Sequence, residues 1–280
     1  MQPYLKLKLF LFTLCLVFSS GAYSQINYGS NNGKYLTIRG TKIYYEEYGE
    51  GTPLLLFHGG FGNIADFQKC IPELSKKFRV IIPDSPGLGR SEFPDQALSY
   101  QLMSDYYSIL IDQLKLDSAY IIGWSDGGIT GLILAHDRPD KIKRLLASGA
   151  NYKSSGINQE VWDGALQTVF NPDWIQANWK DWIGNYKRLS PHGDWKRYVS
   201  EAPKMWLAKE YFPISELQSI SIPVLVVMGD NDMVTFDHTI EIKSAIKNSQ
   251  LCILPNTSHE VFNDKSELIN KIATDFFAGK

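Results

Sequence analysis

Three features of the sequence predict an α/β fold: a mostly parallel sheet, helices on both faces, and a helical cap insertion. Short Val/Ile/Leu-rich runs such as "PLLLFHGG", "AYIIGWS" and "IPVLVVMGD" lack the alternation of a strand with one wet face. Segments of helical spacing separate them, which is the rhythm of right-handed crossover units. One stretch, from about Asn151 to Ser219, breaks that rhythm and holds six of the seven tryptophans.

The chain begins with Lys6 and Lys8, then about ten apolar residues from Leu9 to Phe18, then "SSGAYSQ". Ala22 and Ser24 are small and stand at the −3 and −1 positions of a cut before Gln25, so residues 1–24 read as a signal peptide for export. A spanning helix needs roughly 20 apolar residues, so no stable membrane anchor is expected. Removing the segment takes Cys15 with it and leaves Cys70 and Cys252, two thiols whose pairing the sequence leaves open. The 280-residue chain is 44% hydrophobic with a net charge of −2 and no basic block. That suits one core of residues 25–150 and 220–280 with the cap as residues 151–219, and it gives no sign of a nucleic-acid partner.

In order, "YLTIRGTKIYYEEYGEG" alternates about Gly40 and Thr41, as a hairpin does. "IADFQKCIPELSKKF" has helical spacing, as does the stretch from Leu98 to Leu116. "RVIIPDSPGLGRS" is a strand followed by a Gly/Pro loop, "GGITGLILAHDRP" a helix closed by Pro139, and "IKRLLASGA" a strand. "IPVLVVMGD" and "QLCILPNTSH" close the core, each followed by helical pattern. In such sheets the chemistry collects on loops at the carboxyl ends of the strands. The tryptophan-rich insertion would then form a lid at that edge, with some rings lining a pocket.

"GWSDG", from Gly123 to Gly127, places a serine at a strand-to-helix turn between two glycines. Side chains at those glycines would clash in so sharp a turn, and the context of "AYII" before and "GITGLILAH" after is the one a nucleophile elbow needs. A serine hydroxyl requires a base. Of five histidines, only His259, in "LPNTSHE", has both the right edge and the right chain order. His58 ends a strand beside glycines and reads as loop-shaping. The acid belongs after the preceding strand, where "GDNDMV" offers Asp230 and Asp232. Asp232, three residues past Gly229, is better placed to reach the histidine, and Asp230 reads as loop-shaping. The expected oxyanion donors are the backbone N–H of Gly60, with Phe61 as the fallback, and that of Asp126. No metal or organic cofactor is expected.

Together "HGG", "DSPGLGRS", "GWSDG", "GDNDMV" and the late "SH" resemble the α/β-hydrolase superfamily, over about Tyr35 to Phe277. "GWSDGGITGLILAHDRPDKIKRLLASGAN" is similar to the biphenyl-hydrolase-like, or valacyclovir hydrolase, group. That resemblance implies a serine esterase. It also implies that Asp126, directly after the nucleophile, binds the free α-amine of an amino-acid ester. "HGGFGN" departs toward the proline iminopeptidase pattern. Ester hydrolysis on a small-molecule substrate therefore stands beside two alternatives, a prolyl aminopeptidase and a carbon–carbon bond hydrolase. A serine at the apex excludes epoxide hydrolases and dehalogenases, which need a carboxylate there.

Overall fold

The computed structural model describes Asn27, Gly29 and residues 33–280; the expected signal peptide lies outside the described residues. The strands are β1 (Lys34–Ile38), β2 (Thr41–Tyr48), β3 (Thr52–Phe57), β4 (Phe78–Pro83), β5 (Ala119–Trp124), β6 (Ile142–Ser148), β7 (Val224–Gly229) and β8 (Ser249–Leu254). They form one sheet in the order β1-β2-β4-β3-β5-β6-β7-β8. β1 and β2 make the expected hairpin, with Ile38 opposite Thr41, and β2 runs antiparallel to β4. Every later pairing is parallel.

The helices are α1 (Ile71–Leu74), α2 (Tyr100–Gln113), α3 (Asp126–Asp137), α4 (Gln159–Gln167), α5 (Pro172–Asn178), α6 (Lys180–Leu189), α7 (Trp195–Trp206), α8 (Ile214–Ser219), α9 (Phe236–Ala245), α10 (Val261–Asp264) and α11 (Ser266–Phe277). Because side chains alternate along a strand, the unbroken apolar runs feed two cores. Leu54 and Leu56 of β3 join Leu225 and Val227 of β7 in packing on α1 and α11. Leu55 and Phe57 join Val226 on the opposite face, against α2 and α3. A charged residue at any of these buried positions would leave one core with an unpaired charge.

One expected helix is not continuous. Residues 64–78 form a short 3-10 turn at Ile64–Phe67 and then the single-turn α1. Asn63 caps the first piece through its side chain. Pro72, which has no N–H to continue a helix from the preceding turn, falls in the first turn of the second, where that lack is tolerated.

Between β6 and β7, α4 to α8 form a cap. Three of its helices start at side-chain caps: Asn158 for α4, Asn171 followed by Pro172 for α5, and Asp194 for α7. Trp162, Ile175, Tyr198 and Trp206 are buried in the same core as α2 and α3, so the cap is an extension of that core. Its entry segment, a 3-10 turn at Ser154–Gly156, is stitched to the loop after β7 by Thr235 N–H to Gly156 O at 2.8 Å. Cys70 and Cys252 are free thiols. Among the described residues no helix is long and apolar enough to cross a membrane.

Candidate active site

Ser125 joins β5 to α3 with φ 54° and ψ −119°, a region that residues with side chains rarely occupy. The flanking glycines are required by contact. A Cβ on Gly123 would lie 2.3 Å from Gly127 O, and one on Gly127 would lie 2.1 Å from Phe57 O. The Ser125 N–H donates to Ser148 O at 2.8 Å, tying the turn to β6. Its side chain makes no capping bond to α3, which leaves Oγ to the pocket.

Asp232 and His259 come from the loops after β7 and β8. The His259 Nδ1 lies 2.7 Å from Asp232 Oδ1, which also accepts the Val234 N–H at 3.0 Å. That carboxylate is fully buried, and among the described residues the buried His259 Nε2 bonds to no protein group. With Nδ1 donating to the aspartate, Nε2 is left as the basic nitrogen. Asp230 instead accepts the N–H groups of Asn256 and Thr257, each at 3.0 Å, and so fixes the loop that carries the histidine.

Two further residues hold His259, and the sequence reading did not assign them. Trp124 donates its Nε1 to His259 O at 2.9 Å. Gly149, with φ +58°, passes beneath the ring: a Cβ there would stand 2.6 Å from His259 Cε1. The only sequence signal for Gly149 is a glycine directly after a strand.

On the other flank, His58 is fully buried. Its Nδ1 donates to Gly59 O at 2.8 Å and its Nε2 accepts the Ser85 N–H at 2.9 Å. Burial pulls its pKa down to about 4, consistent with the neutral ring that this pairing needs. Gly60 lines the pocket beside Ser125 and Asp126. The Phe61 N–H, the fallback donor, is committed to Tyr198 Oη at 3.0 Å.

The Asp126 carboxylate is buried. Tyr100 Oη donates to Oδ1 at 2.7 Å, and Trp206 Nε1 lies 3.0 Å from both oxygens. Burial pushes the pKa of this acid up, against the opposing pull of those donors and of His259. The pocket has a volume of about 330 Å³ and mixes Ser125, Asp126, His259 and Glu260 with an aromatic wall that includes Trp162, Phe170, Trp179 and Trp206. Its described lining contains no lysine or arginine.

A family model described as alpha/beta hydrolase fold matches residues 52–173. The chain has the α/β-hydrolase fold. Human "Serine hydrolase BPHL" is 27% identical over 86% of this chain and 84% of its own length. The 2-hydroxy-6-oxo-2,4-heptadienoate hydrolase of Pseudomonas putida is 24% identical over 91% of this chain and 99% of its own. A meta-cleavage product hydrolase structure from Pseudomonas fluorescens superposes with a TM-score of 0.72 at 22% identity, covering 88% of this chain and 98% of that one. The resemblance to the biphenyl-hydrolase-like group holds, and fold and relatives together support a hydrolase.

Proposed function

We propose that this hydrolase is an exported serine esterase of α-amino-acid esters. The carrying observation is a carboxylate directly after the nucleophile, in a pocket whose described lining adds Glu260 and no lysine or arginine. Burial puts a cost on ionising Asp126. A substrate ammonium beside Oδ2 offsets that cost, and its own positive charge is met by aromatic faces as well. Ser125 Oγ attacks the ester carbonyl as His259 Nε2 takes its proton, and Asp232 steadies the resulting imidazolium. The Gly60 and Asp126 N–H groups receive the oxyanion. His259 then protonates the leaving alcohol and activates the water that hydrolyses the acyl-serine. Residues 1–24 are removed on export, so the intact mass of the exported protein should correspond to a start at Gln25; a mass retaining Met1 overturns this part.

Asp126→Asn separates recognition from support, since the amide keeps an oxygen for Tyr100 and Trp206 but loses the charge. It should lower kcat/KM for amino-acid esters about 10- to 150-fold more than for matched esters without the amine. Equal losses on both sets would end the amino-ester reading. The relative named 2-hydroxy-6-oxo-2,4-heptadienoate hydrolase supports carbon–carbon hydrolysis as a second reading. That name denotes a carboxylate substrate, and a wall bearing two carboxylates repels an anion. Prolyl amides in the same substrate panel test the aminopeptidase alternative.

A further inference from the structure

The oxyanion loop is held from above. Phe61, the residue after Gly60, has φ +59°, a conformation that a residue with a side chain keeps only where its surroundings impose it. Both of its backbone polar groups bond to the cap. Its N–H donates to Tyr198 Oη on α7 at 3.0 Å, and its carbonyl accepts Trp182 Nε1 on α6 at 2.8 Å. Tyr198 is completely buried, and the Phe61 ring packs edge-on against Trp182 and Tyr198 at 5.3 and 5.4 Å. Two turns further along α7, Trp206 grips the carboxylate of Asp126. Residues 198 and 206 fall on the same broad face of that helix, as positions i and i+8 do. A single helix face thus reaches the residue next to Gly60 and the side chain of Asp126, Gly60 and Asp126 being the two residues proposed to bind the oxyanion.

From this we infer that Trp182 and Tyr198 are positioning residues for the reaction: the cap sets the place of the Gly60 N–H by clamping Phe61 in its strained conformation. The inference rests on the serine-esterase reading. If either hydrogen bond is lost, Phe61 relaxes toward negative φ and the adjoining glycine shifts with it. The loss then falls on the transition state, where the oxyanion exists, and little on ground-state binding.

The test uses Tyr198→Phe and Trp182→Phe, which keep an aromatic ring and delete one donor each. The control is Tyr186→Phe, which removes another cap-to-core hydrogen bond, Tyr186 Oη to Gly87 O at 2.7 Å, away from the oxyanion loop. Acylation by p-nitrophenyl acetate, steady-state kcat and KM, phenylboronic acid affinity and melting temperature are measured for each. Each clamp variant should lose acylation rate about tenfold, less than the roughly 100- to 1,000-fold cost of deleting an oxyanion donor. KM should stay within about twofold, and affinity for the tetrahedral boronate should fall in step with the rate. The double variant should lose little more than either single one, because both bonds hold one residue. Tyr186→Phe should keep its rate. An unchanged acylation rate in folded clamp variants overturns the inference. So does a rise in KM alone, or an equal rate loss in Tyr186→Phe. Should one clamp variant fail to fold, the other decides. Ser125→Ala run in parallel keeps the two claims apart: if it still turns over the ester, the esterase reading falls, whereas a dead Ser125→Ala beside unimpaired clamp variants removes only the clamp.

Discussion

The His259 side and the Gly60–Phe61 side of this pocket are built differently. His259 is held by core residues, through Trp124, Gly149 and the Asp230 loop, while the Asp232 loop also bonds to the start of the cap through Thr235 N–H to Gly156 O. Phe61 and the Asp126 side chain are placed by hydrogen bonds that reach across to the cap. A core-built group depends on backbone shape, so single added atoms disturb it. A cap-built group depends on polar contacts between elements that could separate. For the proposed chemistry, the histidine is therefore fixed chiefly with the sheet, while Phe61 and the Asp126 carboxylate also depend on how the cap is seated.

The largest effect should come from the core-built side. Ser125→Ala and His259→Ala should each cut kcat by about 10⁶, and the double variant little further, because the pair acts as a unit. Asp232→Asn should cost about 10⁴ through the wrong imidazole tautomer, while Asp230→Asn stays within about tenfold. Steady-state kinetics decide, and a crippled Asp230→Asn beside an active Asp232→Asn would reverse the acid assignment.

A smaller loss should follow Gly149→Ala. A methyl 2.6 Å from His259 Cε1 displaces the ring or the chain beneath it. A misplacement of about 1 Å costs on the order of 100-fold in kcat. Full activity would mean that the histidine is not confined by β6, and the contrast between the two sides would weaken.

The smallest effect is on stability and acts at the root of the oxyanion loop. The His58 pKa is depressed, from about 6.5 in an unfolded chain to about 4 here, so the unfolded state binds more protons between those values. Stability from this group is therefore full above about pH 6.5 and lost as pH falls through about 4, by about 3 kcal/mol at most. His238, also buried and pulled down to about 4, acts in the same direction. Thermal melts of His58→Asn should show a shallower decline over this range than the parent, and an identical decline would remove His58 as its source.

The parts legible in the sequence are those whose signal is local. Gly123, Ser125 and Gly127 announce the elbow because the clash that demands glycine involves the turn itself. Asp232 and His259 could be placed by chain order, since each follows its own strand. Tyr100 and Trp206 as the partners of Asp126, and Trp182 and Tyr198 as those of Phe61, were not readable. These contacts span 26 to 137 residues, and a tryptophan that donates a hydrogen bond looks like one that only fills space. The stretch around Pro72 was misread for a related reason: apolar spacing there suits a helix, but Pro72 has no N–H to continue one from the preceding turn.

The aromatic crowding of the cap also has an optical consequence. Phe61, Trp182, Tyr198 and Trp206 lie ring against ring at 5.2 to 6.5 Å, and Trp206 borders both the pocket and a carboxylate. At such separations excitation energy passes readily from tyrosine to tryptophan and among the indoles. Emission collected anywhere in the cap is then sensitive to the polarity and charge around the rings nearest Ser125. Filling or emptying the pocket should change the protein's own ultraviolet fluorescence, so occupancy can be followed without a label.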